Sequence, residues 1–248
     1  MSQQGKQKGI NKDTRSGLLL EVERILENNK NNLPKVLLLE NVKALGSNKF
    51  KGQFLNWIDK LNKLGYVSNW KIVNSKDYGS VQNRERVFCV SILKQHLKKP
   101  FVFPKAKTSN KQLSDIIKFT KDDKTLDLLT KYSRTEFKKT KAGIIKAALK
   151  NYTKFNSENY IYSINGTGPT LTASGANSRI KFYSQELNIL RYIKESEAFE
   201  YMGFDFQDYL KVKNTNLVSA SKMLFLCGNS ISVEALEEIF KEIIECLN

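Results

Sequence analysis

The stretches LLLENV, Leu37 to Val42, and QNRERVF, Gln82 to Phe88, decide how this sequence folds. Each joins apolar residues to polar residues that carry chemistry: Glu40 follows a run of leucines, and Arg84 and Arg86 precede the run VFCVSI. Short apolar runs rich in branched side chains are typical of buried β-strands. We therefore expect one acid and two arginines at the ends of two strands.

Helical and strand patterns alternate around these stretches. Apolar residues recur at helical spacing at 15–28 and 54–64, and further strands are expected at 67–73 and 87–93. Such alternation predicts an α/β fold with a parallel sheet, whose functional site lies at the carboxyl ends of the strands. The chain closes with an amphipathic helix at 233–247.

Composition divides the chain into segments 1–93, 94–185 and 186–248. The middle segment is rich in lysine and poorly periodic, with short helical patterns only around 112–119 and 142–152. Because regular patterns return only after this stretch, we expect the middle segment to form a separate lobe.

Charge and cysteine usage narrow the class of partner. The net charge is +16, which favours a polyanionic partner such as nucleic acid, although a basic proteome alone also produces such a charge. The three cysteines are spaced for neither disulfides nor zinc, so we expect a reducing cytoplasm and no metal. We also expect no membrane partner, because apolar runs stay far below the length of a spanning helix.

Glu40 and the two arginines are candidates for acid catalysis and for binding a carboxylate or carbonyl group. Partial desolvation after an apolar strand raises the pKa of a carboxyl group, which makes Glu40 a candidate general acid. Arg84 and Arg86 share one strand face and offer planar donors to a carboxylate or a carbonyl oxygen. Alternatively, Glu40 caps a helix or pairs with a lysine, and both arginines are ordinary exposed strand residues.

The two motifs, in this order, resemble the bacterial DNA (cytosine-5)-methyltransferases. The resemblance implies that Glu40 contacts N3 of a flipped-out cytosine and assists attack at C6. It also implies that Arg86 meets the cytosine O2 and that Arg84 supports Glu40.

The resemblance also implies the architecture, which is a partial Rossmann-like S-adenosylmethionine-dependent methyltransferase sheet with an inserted small target-recognition domain. Residues 1–93 would then be the second half of the catalytic domain and residues 94–185 the target-recognition domain. Residues 186–248 would form the hinge of that lobe and the helix that returns to the catalytic domain.

Two later stretches extend the resemblance. FLCGNSISVEAL resembles the family's last motif, which implies that Asn229 and Ser230 contact the methionine part of S-adenosylmethionine, the methyl donor. Without the resemblance, the tripeptide Gly228-Asn229-Ser230 is also typical of an ordinary helix start. The stretch Arg191 to Phe204 resembles the motif that organises the target-recognition lobe.

Double-stranded DNA is the implied partner. PTLTASGANSR, residues 169–179, is small and rich in hydroxyl groups, so its backbone can approach a base pair closely unless it is a plain surface loop. The stretch is similar to that of the CpG-specific enzymes, which implies CG as the target. The DNA-contacting candidates in this loop are Thr172, Ser174, Gly175 and Arg179.

The first residues of the chain resemble the loop that follows the family's Pro-Cys-Gln nucleophile motif. By that resemblance Ser2, Gln4 and Lys6 are further candidates for DNA contact. Pro-Cys-Gln itself and the glycine-rich cofactor loop do not occur in this sequence. Cys89, Cys227 and Cys246 lack the flanking Pro and Gln, and we reject them as the nucleophile.

We therefore expect a truncated or split enzyme of a restriction-modification type, inactive without an N-terminal methyltransferase half that carries the nucleophile. One alternative is a catalytically dead DNA-binding remnant of a decayed methyltransferase gene. Another is an RNA cytosine methyltransferase relative, which the lysine-rich middle segment disfavours because it resembles a DNA target-recognition insert.

Overall fold

The computed structural model describes residues 17–107 and 109–248. The helices of this part of the chain are α1 Leu18–Asn28, α2 Asn48–Lys63, α3 Leu113–Ile116, α4 Leu128–Lys131, α5 Glu195–Tyr201, α6 Phe206–Asn214, α7 Ala220–Asn229 and α8 Val233–Leu247. The strands are β1 Val36–Val42, β2 Tyr66–Asn74, β3 Glu85–Leu93, β4 Lys138–Lys139, β5 Ile145–Ala148, β6 Tyr160–Ser163, β7 Lys181–Ser184 and β8 Ile189–Tyr192. This mixture of helices and sheets confirms the α/β class.

The described residues divide into two compact units. The first unit comprises residues 17–74, 85–105 and 237–248, and the second comprises residues 75–84 and 106–236 without residue 108. These ranges differ from the boundaries at 93 and 185 expected from composition, and the functional role of each segment stays a prediction.

The first unit contains a sheet with the strand order β1-β3-β2. Both outer strands run antiparallel to β3, so the expectation of a wholly parallel sheet is wrong. Periodicity reports which residues are buried but carries no information on strand direction. The short connection 75–84 is the physical reason, because a parallel crossover usually needs a dozen or more residues.

One face of this sheet is covered by α1 and α2. Helix α2 buries Phe54, Trp57 and Leu61 at helical spacing, and these side chains pack with Val87 and Cys89 of β3. Because side chains alternate between the faces of a strand, Glu40 and Arg86 lie on the opposite face of the sheet.

The second unit contains a sheet with the strand order β4-β5-β6-β7-β8. Its pairs are antiparallel except β6 with β7, which are parallel. The helical pattern expected at 142–152 is wrong, because β5 occupies its centre. The pattern expected at 112–119 is confirmed by the short helix α3.

A buried ion-pair cluster ties β8 to α5 in the second unit. Arg191 donates to both carboxylate oxygens of Glu197 at 2.6 and 2.9 Å, and its Nε donates to Asp123 at 2.9 Å. The stretch 191–204 thus carries a buried arginine with two carboxylate partners, which fixes the start of α5 against the sheet.

None of the helices in the described ranges is both long and apolar enough to cross a membrane.

Candidate functional site

Glu40 and Arg86 form an ion pair within the first unit. Strand pairing sets Glu40 opposite Phe88, so Arg86 is its diagonal neighbour on the same face. The Nε atom of Arg86 lies 3.1 Å from Oε1 of Glu40, and both side chains are largely buried. Burial lowers the pKa of Arg86, and the adjacent Glu40 carboxylate opposes that shift.

A second ion pair lies beside the first. Lys43 donates to both carboxylate oxygens of Glu85 at 2.8 Å, and this pair is more exposed. The Nη1 atom of Arg86 also donates to the carbonyl oxygen of Glu85 at 2.9 Å. The guanidinium of Arg86 is thus fixed from two sides, with its Nε directed at Glu40.

Arg84 lies in the second unit and has different partners. Its Nη1 donates to the carbonyl oxygen of Leu171 at 2.7 Å, and its Nη2 donates to those of Ser230 at 2.7 Å and Gly228 at 3.3 Å. Arg86 forms an ion pair with Glu40, and the support of Glu40 by Arg84 stays a prediction. β3 begins at Glu85 and its last pair with β1 is Arg86 with Val42, so Arg84 precedes this ladder.

Gln82 is a site residue that the sequence reasoning missed. It is fully buried, and its amide nitrogen donates to the carbonyl oxygen of Tyr201 at 2.8 Å. Its amide oxygen accepts from the backbone nitrogen of Leu171 at 3.3 Å. The position of Gln82 two residues before Arg84, on the same face, was the signal that could have identified it.

The segment Pro169 to Leu171 is held by several side chains of the second unit. Tyr201 donates from its hydroxyl to the carbonyl oxygen of Pro169 at 2.6 Å, and burial raises the pKa of Tyr201 well above its usual value. Thr170 donates from its hydroxyl to the carbonyl oxygen of Asn83 at 2.5 Å. With the bonds from Gln82 and Arg84, these contacts fix the base of the loop that follows.

That loop contains the candidates for DNA contact and is internally ordered. The hydroxyl of Thr172 donates to the carbonyl oxygen of Ser174 at 2.9 Å, and Gly175 has a φ of 80°. The guanidinium of Arg179 lies 5.3 Å from the ring centre of Tyr192. Ser174, Gly175 and Arg179 are exposed, so their polar groups face solvent.

The turn after α7 carries the two candidates for cofactor contact. Ser230 donates from its hydroxyl to the carbonyl oxygen of Cys227 at 2.7 Å, which leaves its oxygen lone pairs as acceptors. Asn229 is exposed and its amide offers both donors and an acceptor. These groups fit the carboxylate and ammonium groups of an amino acid, such as the methionine part of S-adenosylmethionine.

α7 approaches the candidate DNA loop closely at Gly228. A Cβ atom at this position would lie 2.2 Å from the carbonyl carbon of Thr172 and 2.3 Å from the backbone nitrogen of Ala173. Real side chains never approach backbone so closely, which makes glycine a requirement here. The backbone of the candidate cofactor turn therefore packs directly on the backbone of the candidate DNA loop.

The three cysteines are buried and poorly suited to nucleophilic attack. Burial raises the pKa of Cys89 to about 11 and that of Cys227 to about 12. Burial also raises the pKa of Cys246. Since the thiolate is the reactive form, burial disfavours nucleophilic attack by all three thiols.

Ser2, Gln4 and Lys6 lie outside the described residues. In the part of the chain that the structure covers, no group of His, Cys, Asp and Glu side chains is arranged to hold a metal ion.

Comparison with known proteins places these motifs in one family. A family model described as C-5 cytosine-specific DNA methylase matches residues 1–245. The orphan methyltransferase M.SssI of Spiroplasma monobiae is 46% identical over 98% of this chain, which spans 62% of the length of that relative. The Type II methyltransferase M.HaeII of Haemophilus aegyptius is 32% identical over 95% of this chain and 68% of its own length.

The fold is also found in solved structures. The Dnmt2 methyltransferase of S. pombe superposes with a TM-score of 0.66 at 19% identity, over 94% of this chain and 73% of that one. The Entamoeba histolytica methyltransferase EhMeth superposes with a TM-score of 0.63 at 16% identity, over 94% of this chain and 69% of that one.

Proposed function

Because the chain belongs to the C-5 cytosine-specific DNA methylase family, we propose that it takes part in methyl transfer from S-adenosylmethionine to C5 of cytosine in duplex DNA. We further propose CG as the target, in a cytoplasmic protein of a restriction-modification type. The observation that carries the proposal is the ion pair between Glu40 and Arg86 at the end of β1.

The ion pair of Glu40 and Arg86 could stabilise the negative charge that develops on the base during the reaction. When a thiolate adds to C6 of cytosine, electron density moves from the C5–C6 bond into the ring, toward N3 and O2. Once the carboxylate of the ion pair has taken up a proton from solvent, a carboxylic acid at N3 and a guanidinium at O2 would stabilise that density as it develops. We assign N3 to Glu40 and O2 to Arg86. The hydrogen bond from Arg86 to the carbonyl of Glu85 helps hold the guanidinium in place.

Arg84 receives a positioning role in this proposal. Arg84 is 3% exposed, and its guanidinium donates hydrogen bonds to three carbonyl oxygens of the second unit. It supports the segment that leads into the DNA loop and the turn at Ser230 at the same time. Arg84 thus supports these two backbone segments, and the support of Glu40 by Arg84 that the family resemblance implies stays part of the proposal.

Asn229 and Ser230 would hold the methionine part of S-adenosylmethionine, which supplies the methyl group. The exposed amide of Asn229 can donate to a carboxylate, and the lone pairs of Ser230 can accept from an ammonium group. The family's glycine-rich loop and ribose acid are absent from this sequence, so these two residues would bind the cofactor weakly alone.

The nucleophile must come from residues other than those of this sequence. The sequence contains no Pro-Cys-Gln, and the pKa values of its own thiols are raised by burial. We propose that an N-terminal methyltransferase half supplies the cysteine, as a partner or as part of a longer polypeptide, and that this chain alone is inactive. The same observation supports a second candidate function, a DNA-binding remnant without catalysis.

A reconstitution experiment tests the proposal. This chain would be purified alone and together with the N-terminal part of M.SssI, and transfer of radiolabelled methyl groups to duplex DNA would be measured. We expect no transfer by the chain alone and transfer at CG sites, mapped by bisulfite sequencing, by the combination.

Each other outcome removes a part of the proposal. Methyl transfer by the chain alone would overturn the inference that this chain lacks the nucleophile. Methylation outside CG would overturn the specificity. DNA binding without transfer in the combination would favour the remnant, and transfer to tRNA but not to DNA would favour an RNA methyltransferase.

A further inference from the structure

Phe155 is the most exposed phenylalanine of the described chain, with 73% of its surface accessible. It lies in the connection between β5 and β6 and is flanked by the exposed Lys154. Single exposed apolar residues are common on protein surfaces and by themselves indicate nothing. The way in which this connection is held makes Phe155 different.

Hydrogen bonds close the connection into a defined loop. The side-chain oxygen of Asn159 accepts from both the backbone nitrogen and the hydroxyl of Thr153, at 3.0 and 2.9 Å. The amide of Asn159 donates back to the carbonyl oxygen of Thr153 at 3.1 Å. Within the loop, the backbone nitrogen of Glu158 donates to the carbonyl oxygen of Phe155 at 3.0 Å. The ring is therefore presented on an ordered loop, so that less entropy is lost when it binds.

A buried lysine and an aromatic ring support this loop from below. Lys181 lies 3.8 Å from Glu158 and 5.7 Å from the ring centre of Tyr152. The turn 156–159 contacts the turn 176–178, which belongs to the candidate DNA loop. The loop of Phe155 thus borders the residues assigned to DNA contact, within the same unit.

We propose that Phe155 is a stacking residue of the DNA interface, whose ring inserts against the bases of duplex DNA while the adjacent exposed Lys154 binds a phosphate. This inference rests on the proposed function, because the ligand it names is duplex DNA. Apolar rings that enter a base step must unstack it, and a bent or opened duplex offsets that cost because it covers more of the protein surface. Because an aromatic ring can stack on any base, Phe155 would add affinity and fix the position of the protein along the duplex. Recognition of the base sequence would fall to the candidate DNA loop.

The test compares binding of the full chain to two labelled duplexes by fluorescence anisotropy. One duplex is intact and contains a CG site, and the other has an abasic position beside that site, which removes most of the unstacking cost. We expect the unaltered chain to bind the abasic duplex roughly tenfold more tightly. Phe155→Ala should lose that preference and bind the intact duplex roughly tenfold more weakly, whereas Phe155→Trp should retain both.

Two control variants separate stacking from other effects. Leu217→Ala removes another exposed apolar side chain of the same unit, 87% accessible, and should leave both affinities unchanged. Lys154→Gln should lower the slope of log affinity against log salt by about one and keep the preference for the abasic duplex.

Each result decides one of the two claims. Equal binding by Phe155→Ala and the unaltered chain would overturn the stacking role and leave the proposed DNA substrate intact. An equal loss in Leu217→Ala would also overturn it, because the effect would then be a general response to lost apolar surface. Failure of the unaltered chain to bind either duplex would overturn the stacking role together with DNA binding by this chain.

Discussion

The carbonyl oxygen of Ser230 accepts a hydrogen bond from Nη2 of Arg84 at 2.7 Å, although the two residues are 146 positions apart. Through its other amino group the same guanidinium donates to Leu171 at 2.7 Å. One planar side chain therefore connects the turn assigned to the cofactor with the segment that leads into the loop assigned to DNA. A flexible ammonium group cannot reproduce this fork.

Arg84→Lys should destabilise the chain strongly for that reason. At least one of the two carbonyl oxygens would be left buried without a charged donor, at a cost of roughly 3 kcal/mol. Urea unfolding followed by circular dichroism measures this change. The exposed Arg24, which pairs with Glu21 on α1, offers the control Arg24→Lys, for which we expect no measurable change. Equal stability of the two variants would contradict the structural role of Arg84.

Gly228→Ala tests the close packing between α7 and the candidate DNA loop. The added Cβ would overlap the backbone of Thr172 and Ala173, so we expect a loss of about 1–3 kcal/mol or more in unfolding free energy. Gly52 on α2 is the matched control, because an added Cβ meets nothing within 4 Å there. Gly52→Ala should raise the unfolding free energy by about 0.5–1 kcal/mol. A neutral Gly228→Ala would show that the loop can move aside freely.

Glu40→Gln should leave folding intact and reduce catalysis. In the reconstituted enzyme we expect the single-turnover rate of methyl transfer to fall roughly 10²- to 10⁴-fold, as is typical when a general acid is lost. Glu85→Gln removes a more exposed carboxylate at the same end of the sheet, and the rate should change by at most about twofold. An unchanged rate in Glu40→Gln would remove this residue from the mechanism.

The raised pKa values of the cysteines predict slow thiol chemistry. With pKa values of about 11 and 12, Cys89 and Cys227 hold at most about one thiolate in 10³ molecules at pH 8. Reaction with Ellman's reagent should therefore be at least about 100-fold slower for these two thiols in the folded chain than in urea. Rapid modification of either thiol in the folded chain would contradict this assignment.

The same shifts predict how stability depends on pH. Folding favours the protonated thiols, so their contribution is complete below the ordinary thiol pKa of about 8.5 and is lost as pH rises toward 11 and 12. The melting temperature should fall between pH 8 and pH 11. Cys227→Ala should show a smaller fall over this range, and an identical fall would assign the effect to other groups.

Hydrophobic periodicity predicted the helices and strands of the first unit well. The expected closing helix at 233–247 coincides with α8, and the expected strand at 87–93 lies within β3. These elements bury a regular set of side chains, which leaves a clear pattern in sequence. Strand direction leaves no such pattern, and the parallel sheet was predicted wrongly for that reason.

The second unit was harder to predict because its strands are short. β5, β6, β7 and β8 each span four residues, too few for an alternating pattern to stand out. The candidate site shows the same limit. The sequence identified both Arg84 and Arg86 as site candidates. Only tertiary contacts show that Arg86 pairs with Glu40 and that Arg84 binds backbone carbonyls.

The border between the units at Arg84 and Glu85 has a consequence for exchanging recognition units between relatives. In a chimera that replaced only residues 106–236, Gln82 and Arg84 would come from the host. Their buried hydrogen-bond donors would then face carbonyl acceptors from the other protein. Residues 75–84 should therefore be exchanged together with residues 106–236, whereas Arg86 should be that of the host. Recombination between family members would succeed most often where both crossovers respect that grouping, even though it separates two arginines that are only two positions apart.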